Sequence, residues 1–199
     1  MPLDQRPFAS GWLACTLGLL GALAAGCSST PATGDGDGDK GVWAGVLSTP
    51  DAVAIARMDP VAGSRVEGQV TFFQYGEVVV VRAKFIGLDA NREYGLHVHE
   101  KADCSGAGGS STGGHLNPAG TPHGQPGRGP HHAGDLPNVQ TLAEGAVSYV
   151  YETRNLSITE GPAGVVGRSV VLTRDPDDYR TQPDGKSGPP LGCGYIRRN

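Results

Sequence analysis

From position 51 to the end of the chain, short runs of apolar and β-branched residues alternate with turn residues. In the run EVVVVRAKFIG at positions 77–87, apolar side chains alternate with Arg82 and Lys84. This period of two is typical of a strand with one buried face, because successive side chains of a strand point to opposite faces. Runs that favour strands lie at positions 52–58, 68–74, 77–87, 94–100, 145–152, 167–173 and 193–196.

This pattern predicts an all-β fold, either a Greek-key β-sandwich or a flattened eight-stranded barrel. The 32 Gly and 15 Pro among 199 residues favour a turn-rich β protein, and no amphipathic helix is evident. Two segments, 101–141 and 174–191, are long, polar and rich in Gly and Pro. Long loops without strands of their own are usually functional, so we expect two functional loops on a β framework.

The length and charge of the chain limit its classes of function. A chain of 199 residues accommodates one domain with a substantial core, which we place at residues 51–199. The formal net charge is −4 and the sequence pI is about 5.8. The chain has no basic stripe of the kind that nucleic acid requires, so nucleic-acid binding is not expected.

The N-terminal segment has the pattern of an export signal. An apolar run at positions 11–25 follows a polar start, and it is shorter than the roughly 20 residues that a membrane-spanning helix needs. The run ends in LAAGCSST, which resembles the bacterial lipobox, where the signal is removed and the cysteine is lipidated. We therefore expect a lipoprotein-type signal peptide at residues 1–26, although Ala24 stands where the lipobox prefers Leu. A plain cleaved signal with an incidental Cys27 is the alternative.

A flexible polar tether is predicted at residues 27–50, because its stretch SSTPATGDGDGDK is too polar and glycine-rich to bury a core. Lipid on Cys27 would anchor the protein to a membrane. The expected location is the bacterial cell envelope, in the periplasm or associated with the outer membrane.

The cysteines predict one disulfide. Cys15 leaves with the signal and Cys27 carries the lipid, so the mature domain keeps Cys104 and Cys193. In an exported protein such a pair most simply forms a disulfide, which would close a loop of about 90 residues.

All six histidines lie between positions 97 and 132. On a strand His97 and His99 share a face, because alternate residues do so. Two imidazoles on a rigid strand suit copper, whereas a set of four residues on a loop suits a tetrahedral zinc ion. The loop candidates are His115, His123, His132 and Asp135.

These residues resemble the copper/zinc superoxide dismutases, especially the exported bacterial branch. The resemblance is carried by GLHVHEKADC, GGHLNPAGTPHG, HHAGDLPN and GRSVVLTRDPDDYRTQPDGKSGPPLGCGYI, and it covers residues 52–196. The spacings between successive loop residues, eight, nine and three positions from His115 to Asp135, agree as well. The resemblance implies an enzyme that converts superoxide into oxygen and hydrogen peroxide with copper and zinc, in a β-sandwich of which this family is a known example.

Carried over position by position, the resemblance implies a role for each of these side chains. His115 is the imidazolate shared by copper and zinc, and Asp177 is the carboxylate that hydrogen-bonds one histidine at each metal. Cys104 and Cys193 match the family's disulfide, whereas His131 matches no ligand and is expected to be a solvated neighbour. The implied ligands are His97, His99 and His115 for copper, and His115, His123, His132 and Asp135 for zinc.

Two positions depart from the family's pattern, and both concern copper. The family's fourth copper histidine falls at Thr173, and its active-site arginine, which attracts superoxide, falls at Pro190. We therefore expect zinc to organise the loop while copper binds weakly and dismutation is weak or lost. Arg174, Arg180 and Lys186 are the candidates for replacing the lost positive charge. The alternative is a non-catalytic, zinc-stabilised envelope protein that binds or carries copper.

Overall fold

The computed structural model describes residues 49–61, 63–106, 111–145 and 147–199. The chain divides into two units, residues 1–39 and 40–199, and all described residues belong to the second. The predicted signal peptide, most of the predicted tether and Cys27 lie outside the described residues.

The described residues form an all-β structure, which confirms the predicted fold class. Each predicted run contains a strand, and the described residues contain no α-helix. No helix capable of crossing a membrane is found in this part of the chain. The strands are β1 (Ala52–Pro60), β2 (Glu67–Tyr75), β3 (Val78–Ile86), β4 (Glu93–Tyr94), β5 (Leu96–His99), β6 (Val139–Gln140), β7 (Tyr149–Thr153), β8 (Ser169–Thr173) and β9 (Pro190–Arg198).

Seven of these strands form one antiparallel sheet that curls into a half-barrel. Its order is β5-β8-β9-β1-β2-β3-β7, so β1, β2 and β3 form a meander while β5 and β7 are edge strands. Strand β4 pairs separately with β6, and only Gly95 separates β4 from β5. Neighbours that are distant in sequence, such as β3 and β7, require the long connections of a Greek-key arrangement.

The alternation of β3 shows how the sequence builds the core. Every second residue from Val79 to Phe85 is buried, whereas Arg82 and Lys84 between them are exposed. Val80, on the opposite face, is buried as well. Phe72 of β2 and Leu172 of β8 are fully buried in the same cluster. The sheet therefore closes one apolar face around a core, because burial of apolar surface is its main source of stability.

The first long loop lies along the edge of β5 and satisfies its backbone groups. The Val98 N–H donates to the Gly134 carbonyl at 2.9 Å, and the Leu116 N–H donates to the Val98 carbonyl at 2.8 Å. His99 also pairs with His115 as an isolated bridge. Only glycine fits at position 134, because a Cβ there would collide with the Val98 carbonyl oxygen. Backbone hydrogen bonds therefore hold the histidine strand beside the histidine loop.

The predicted disulfide between Cys104 and Cys193 is confirmed, with an S–S distance of 2.07 Å. Its two cysteines are 89 positions apart, and it joins the first long loop to β9. The loop that carries the zinc candidates is thus attached to the sheet at a second place besides the edge of β5.

Removal of this disulfide should lower the free energy of unfolding by roughly 2–4 kcal/mol, since the unfolded chain regains freedom. The measurement is urea unfolding of the variant Cys104→Ser/Cys193→Ser beside reduced and oxidised wild type. The variant should unfold at the same urea concentration as the reduced wild type. A variant as stable as the oxidised wild type would contradict this expectation.

Candidate metal centre

Two groups of potential metal ligands converge in the described structure, and they share His115. Within each group the candidate ligand atoms lie within 4.8 Å of one another. The loop residues that the sequence suggested for zinc form the first group, and the strand pair with His115 forms the second. The groups are His115, His123, His132 and Asp135 on the zinc side, and His97, His99 and His115 on the copper side.

Asp135 stands at the middle of the zinc side. Its carboxylate lies 2.8 Å from His115 Nδ1, 3.1 Å from His123 Nδ1 and 3.2 Å from His132 Nδ1. All four side chains of the group are buried. Three imidazole nitrogens and one carboxylate are a donor set of the kind that holds zinc.

The copper side consists of imidazoles alone. The rings of His97 and His115 stack with their centroids 3.9 Å apart, and the ring of His99 stands edge-on to His115 at 5.0 Å. His97 is fully buried, whereas His99 is partly exposed. Imidazole nitrogen is a good copper ligand, and His99 is the most exposed of the three rings.

Several ring nitrogens of these histidines are buried without a hydrogen-bond partner among the described residues. Buried polar atoms are nearly always paired, so these atoms indicate positions that bind something further. The opposite nitrogens are occupied: His97 Nε2 contacts Asp177 at 2.9 Å, and His99 Nδ1 contacts the Gly113 carbonyl at 2.9 Å. The residues therefore fit bound metals. Within the described part of the chain His97 Nδ1 and His99 Nε2 have no partner, and His123 Nδ1 and His132 Nδ1 lie near the Asp135 carboxylate but outside hydrogen-bond geometry.

Asp177 connects the two groups from behind. Its Oδ2 lies 2.9 Å from His97 Nε2 and its Oδ1 lies 2.8 Å from His123 Nε2. Each ring is thereby oriented with its other nitrogen toward the metal group. Gly185 passes over this pair with a φ of 63°, and a Cβ there would collide with the Asp177 carboxylate.

Burial and charge set the protonation of the metal-free centre. Burial lowers the pKa of His97 to about 4 and the pKa of His99 to about 3, so both imidazoles are neutral at pH 7. Burial also opposes a charge on His123, but contacts with Asp135 and Asp177 prevail and raise its pKa to about 9. Without metal, the zinc side therefore holds a proton that a bound cation would displace.

The two buried carboxylates stay ionised. Burial acts to raise the pKa of Asp135 and of Asp177, but hydrogen bonds from the neighbouring histidines outweigh it and lower both pKa values well below the usual range. The centre therefore offers fixed negative charge to a cation at neutral pH.

Residues 66–196 match the sequence profile of the family copper/zinc superoxide dismutase (SODC). The chain belongs to this superoxide dismutase family. Membership implies copper and zinc as the metals of the centre, and superoxide dismutation as the family reaction.

Curated members of the superoxide dismutase family are similar to the chain over most of their length. It is 39% identical to a Cu-Zn superoxide dismutase of Yarrowia lipolytica over 153 residues, which cover 73% of this chain and 96% of the relative. It is 36% identical to one of Deinococcus radiodurans over 146 residues, which cover 67% of this chain and 78% of the relative. The crystal structure of the clock protein EA4 is similar with a TM-score of 0.67 and 35% identity, over 76% of this chain and 96% of that one.

Thr173 lies beside the copper side of this superoxide dismutase domain. It ends β8, is buried, and pairs with Pro190 at the start of β9. A Cβ on Gly95 would contact both Thr173 Oγ1 and His97 Cε1, so these two groups border the same small space. A threonine hydroxyl is a neutral oxygen donor and a weaker ligand for copper than an imidazole.

Of the three candidate cations, only Arg174 is paired with a carboxylate within the described residues. The Arg174 guanidinium donates to both carboxylate oxygens of Asp175, at 3.2 and 3.0 Å. Arg180 lines a cleft beside His123, which belongs to the zinc side. Lys186 is exposed in the second loop. The positive charge of Arg174 is therefore largely offset by Asp175, and that of Arg180 lies nearer zinc than copper.

Two amide side chains that the sequence analysis does not single out tie the centre together. The Gln182 amide accepts from the His123 N–H at 2.8 Å and donates to the His123 carbonyl at 2.9 Å. The Asn138 amide accepts from the Asp177 N–H at 2.9 Å and donates to the Asp177 carbonyl at 3.0 Å. The partners are 59 and 39 positions apart, so no local pattern in the sequence signals these contacts.

His131 belongs to neither metal group, and it is more than a solvated neighbour. Its Nδ1 contacts the Gly129 carbonyl at 2.7 Å, and its Nε2 accepts from the Asn155 amide at 2.9 Å. His131 therefore fastens the loop to the turn after β7.

The Gln182 contacts predict that Gln182→Ala speeds the release of zinc by roughly tenfold, because two hydrogen bonds that hold the His123 backbone are lost. Zinc release is measured by transfer to a chromogenic chelator in excess. Gln140→Ala, at an exposed position of β6, is the matched control and should release zinc at the wild-type rate. Equal rates for Gln182→Ala and wild type would contradict the assignment.

Proposed function

We propose that this chain is an envelope-attached superoxide dismutase-family protein that binds zinc firmly and dismutes superoxide weakly or not at all. The contrast between the two sides of the centre carries the proposal. Four converging side chains form the zinc side, whereas three imidazoles form the copper side and a threonine, Thr173, lies next to His97.

On the zinc side, the chain's residues serve to order the loops. Gln182 holds the backbone of His123, Asp177 holds its ring, and the edge of β5 holds the loop beside Gly134. Zinc has no redox chemistry, and bound there it would lock this arrangement in place. The role of the zinc side is therefore structural.

On the copper side, copper when bound would supply the one-electron chemistry that oxidises one superoxide to oxygen and reduces another to hydrogen peroxide. His97 Nδ1 and His99 Nε2 would hold it, since both are buried atoms without another partner among the described residues. The His115 Nδ1–H donates to the Asp135 carboxylate, which leaves the lone pair of His115 Nε2 as the donor toward the copper side. Asp177 keeps the ring of His97 in the orientation that this requires.

Thr173 and Pro190, the two departures from the family's pattern, both weaken this chemistry. Loss of partners that merely orient metal ligands costs about 10–100-fold in affinity or activity, and loss of a ligand imidazole at position 173 should cost at least as much. Electrostatic steering raises association rates by about 10- to 1,000-fold, an effect for which superoxide dismutases are a known example. Pro190 supplies no such charge, and Arg174 is paired with Asp175.

A second candidate function is that of a non-catalytic, zinc-stabilised protein that binds or carries copper. The small donor set favours it, because a group of only three imidazoles, one of them the partly exposed His99, would exchange its metal more readily than a complete site. Robust copper-dependent dismutation by the native protein would exclude this candidate.

Returning positions 173 and 190 to the family's histidine and arginine should restore superoxide dismutation. Thr173→His with Pro190→Arg is expected to raise the dismutation rate at least about tenfold over the native protein, because a ligand and an attracting charge are added. The measurement is a superoxide assay on protein loaded with zinc and copper.

The matched control for the arginine is Thr173→His with Pro189→Arg, which places the same charge one position away, at an exposed residue. It should gain less than the first variant. If neither variant exceeds the native rate, the assignment of positions 173 and 190 is wrong.

We also propose that lipid on Cys27 attaches the protein to the bacterial cell envelope, on the support of the apolar run and the lipobox-like LAAGCSST. Cys27→Ser should move the full-length protein from the membrane fraction to the soluble fraction. Cys15→Ser, within the apolar run, is the control and should stay with the membranes. A soluble wild type would contradict the proposal.

A further inference from the structure

A cleft of about 410 Å³ lies on the outer side of the zinc group, between the two long loops. Its volume falls within the roughly 300–1,000 Å³ of small-molecule sites. The cleft has no assigned role, and it lies on the side of His123 rather than on that of the copper group. The side chains that decide its chemistry are His123, Gln125 and Arg128 of the first loop and Asp178, Tyr179 and Arg180 of the second.

The charge of this cleft comes from two arginines on opposite loops. Neither Arg128 nor Arg180 has an ion pair or a side-chain hydrogen bond within the described part of the chain. Arg92 and Arg174, by contrast, are paired with Asp89 and Asp175. Both arginines are exposed, and neither has a carboxylate partner among the described residues that would compete with a bound anion for its guanidinium.

The single carboxylate that lines the cleft, Asp178, accepts hydrogen bonds from its own loop. Asp178 Oδ1 accepts from the Arg180 N–H at 2.9 Å and from the Thr181 N–H at 2.8 Å. Its Oδ2 accepts from the Thr181 hydroxyl at 2.6 Å. These bonds hold the pKa of Asp178 below its usual range and fix its oxygens in a turn. Asp178 therefore shapes the second loop and forms no ion pair with either arginine.

We propose that the cleft binds a small oxyanion of the size of phosphate, held between Arg128 and Arg180. A guanidinium presents a planar fork of donors that matches the oxygens of such an anion. An anion bridging the two arginines would join the first loop to the second directly outside His123, where Gln182 already joins them. Binding should therefore slow the release of zinc. This inference goes beyond the proposed function, because it requires neither copper nor dismutation.

The test is a titration of the zinc-loaded full chain with inorganic phosphate, followed by NMR shifts or calorimetry, with chloride added to keep the ionic strength constant. Two charge-assisted arginine contacts correspond to a Kd on the order of 1 mM. We expect saturable binding in that range, at least about tenfold weaker binding in Arg128→Gln/Arg180→Gln, and an intermediate loss in each single variant.

Two further variants separate the site from general effects of charge. Arg57→Gln, at an exposed position of β1, removes an arginine elsewhere and should bind phosphate like the wild type. Arg128→Lys/Arg180→Lys keeps the charge but loses the fork, and should bind more weakly than wild type and more tightly than the glutamine pair.

The second readout is the rate of zinc transfer to a chelator, with and without 10 mM phosphate, a concentration chosen as roughly ten times the expected Kd. Phosphate should slow the transfer in wild type and leave it unchanged in Arg128→Gln/Arg180→Gln. Absence of saturation, or equal phosphate affinity in wild type and the glutamine pair, would overturn the site. A transfer rate that phosphate does not alter in wild type would overturn the link between the loops.

Discussion

The metal centre depends on one buried carboxylate, that of Asp177. A desolvated charge is costly unless it is paired, and Asp177 is paired with His97 on the strand, with His123 on the first loop and with the Tyr179 N–H, 2.7 Å away, on its own loop. Three separate segments therefore meet at one side chain. Because the same group orients a histidine on each side, the geometry of the copper side is coupled to the order of the zinc loop.

The sheet supplies the rigidity that this carboxylate requires. The edge strand β5 presents His97 and His99, and the loop that follows satisfies the free backbone groups of that edge while it brings His115 and Asp135 alongside. The disulfide to β9 holds the start of the same loop. In the proposed function, the difference between the two sides of the centre comes from side chains at the end of β8 and the start of β9, on the same sheet.

Much of the fold can be predicted from the sequence, because strands leave a pattern in short runs of neighbouring residues. Alternation in runs such as β3 predicts strands, because the period of a strand is two and one face must be buried. Residue type and spacing indicate the metal candidates, and the resemblance to the family implies the role of each. The short pair β4–β6 carried no such pattern, because strands of two residues are too short to show a period.

The contacts that the sequence could not reveal are those between loops. Gln182 binds the backbone of His123, and Arg180 shares a cleft with Arg128, although each pair is widely separated in sequence. The pairing of Arg174 with Asp175 involves neighbours, but no pattern distinguishes a paired arginine from one that faces a substrate. Such contacts depend on the path of irregular backbone, and loops have no periodic pattern of apolar residues from which that path could be predicted.

The central claim is that the zinc side is complete and the copper side is not. Its most direct test is the metal content of the full chain after loading with both metals and passage over a chelating resin. The account predicts about one zinc per chain, from its four-ligand group, and clearly less than one copper. Retention of copper at the same level as zinc would contradict it.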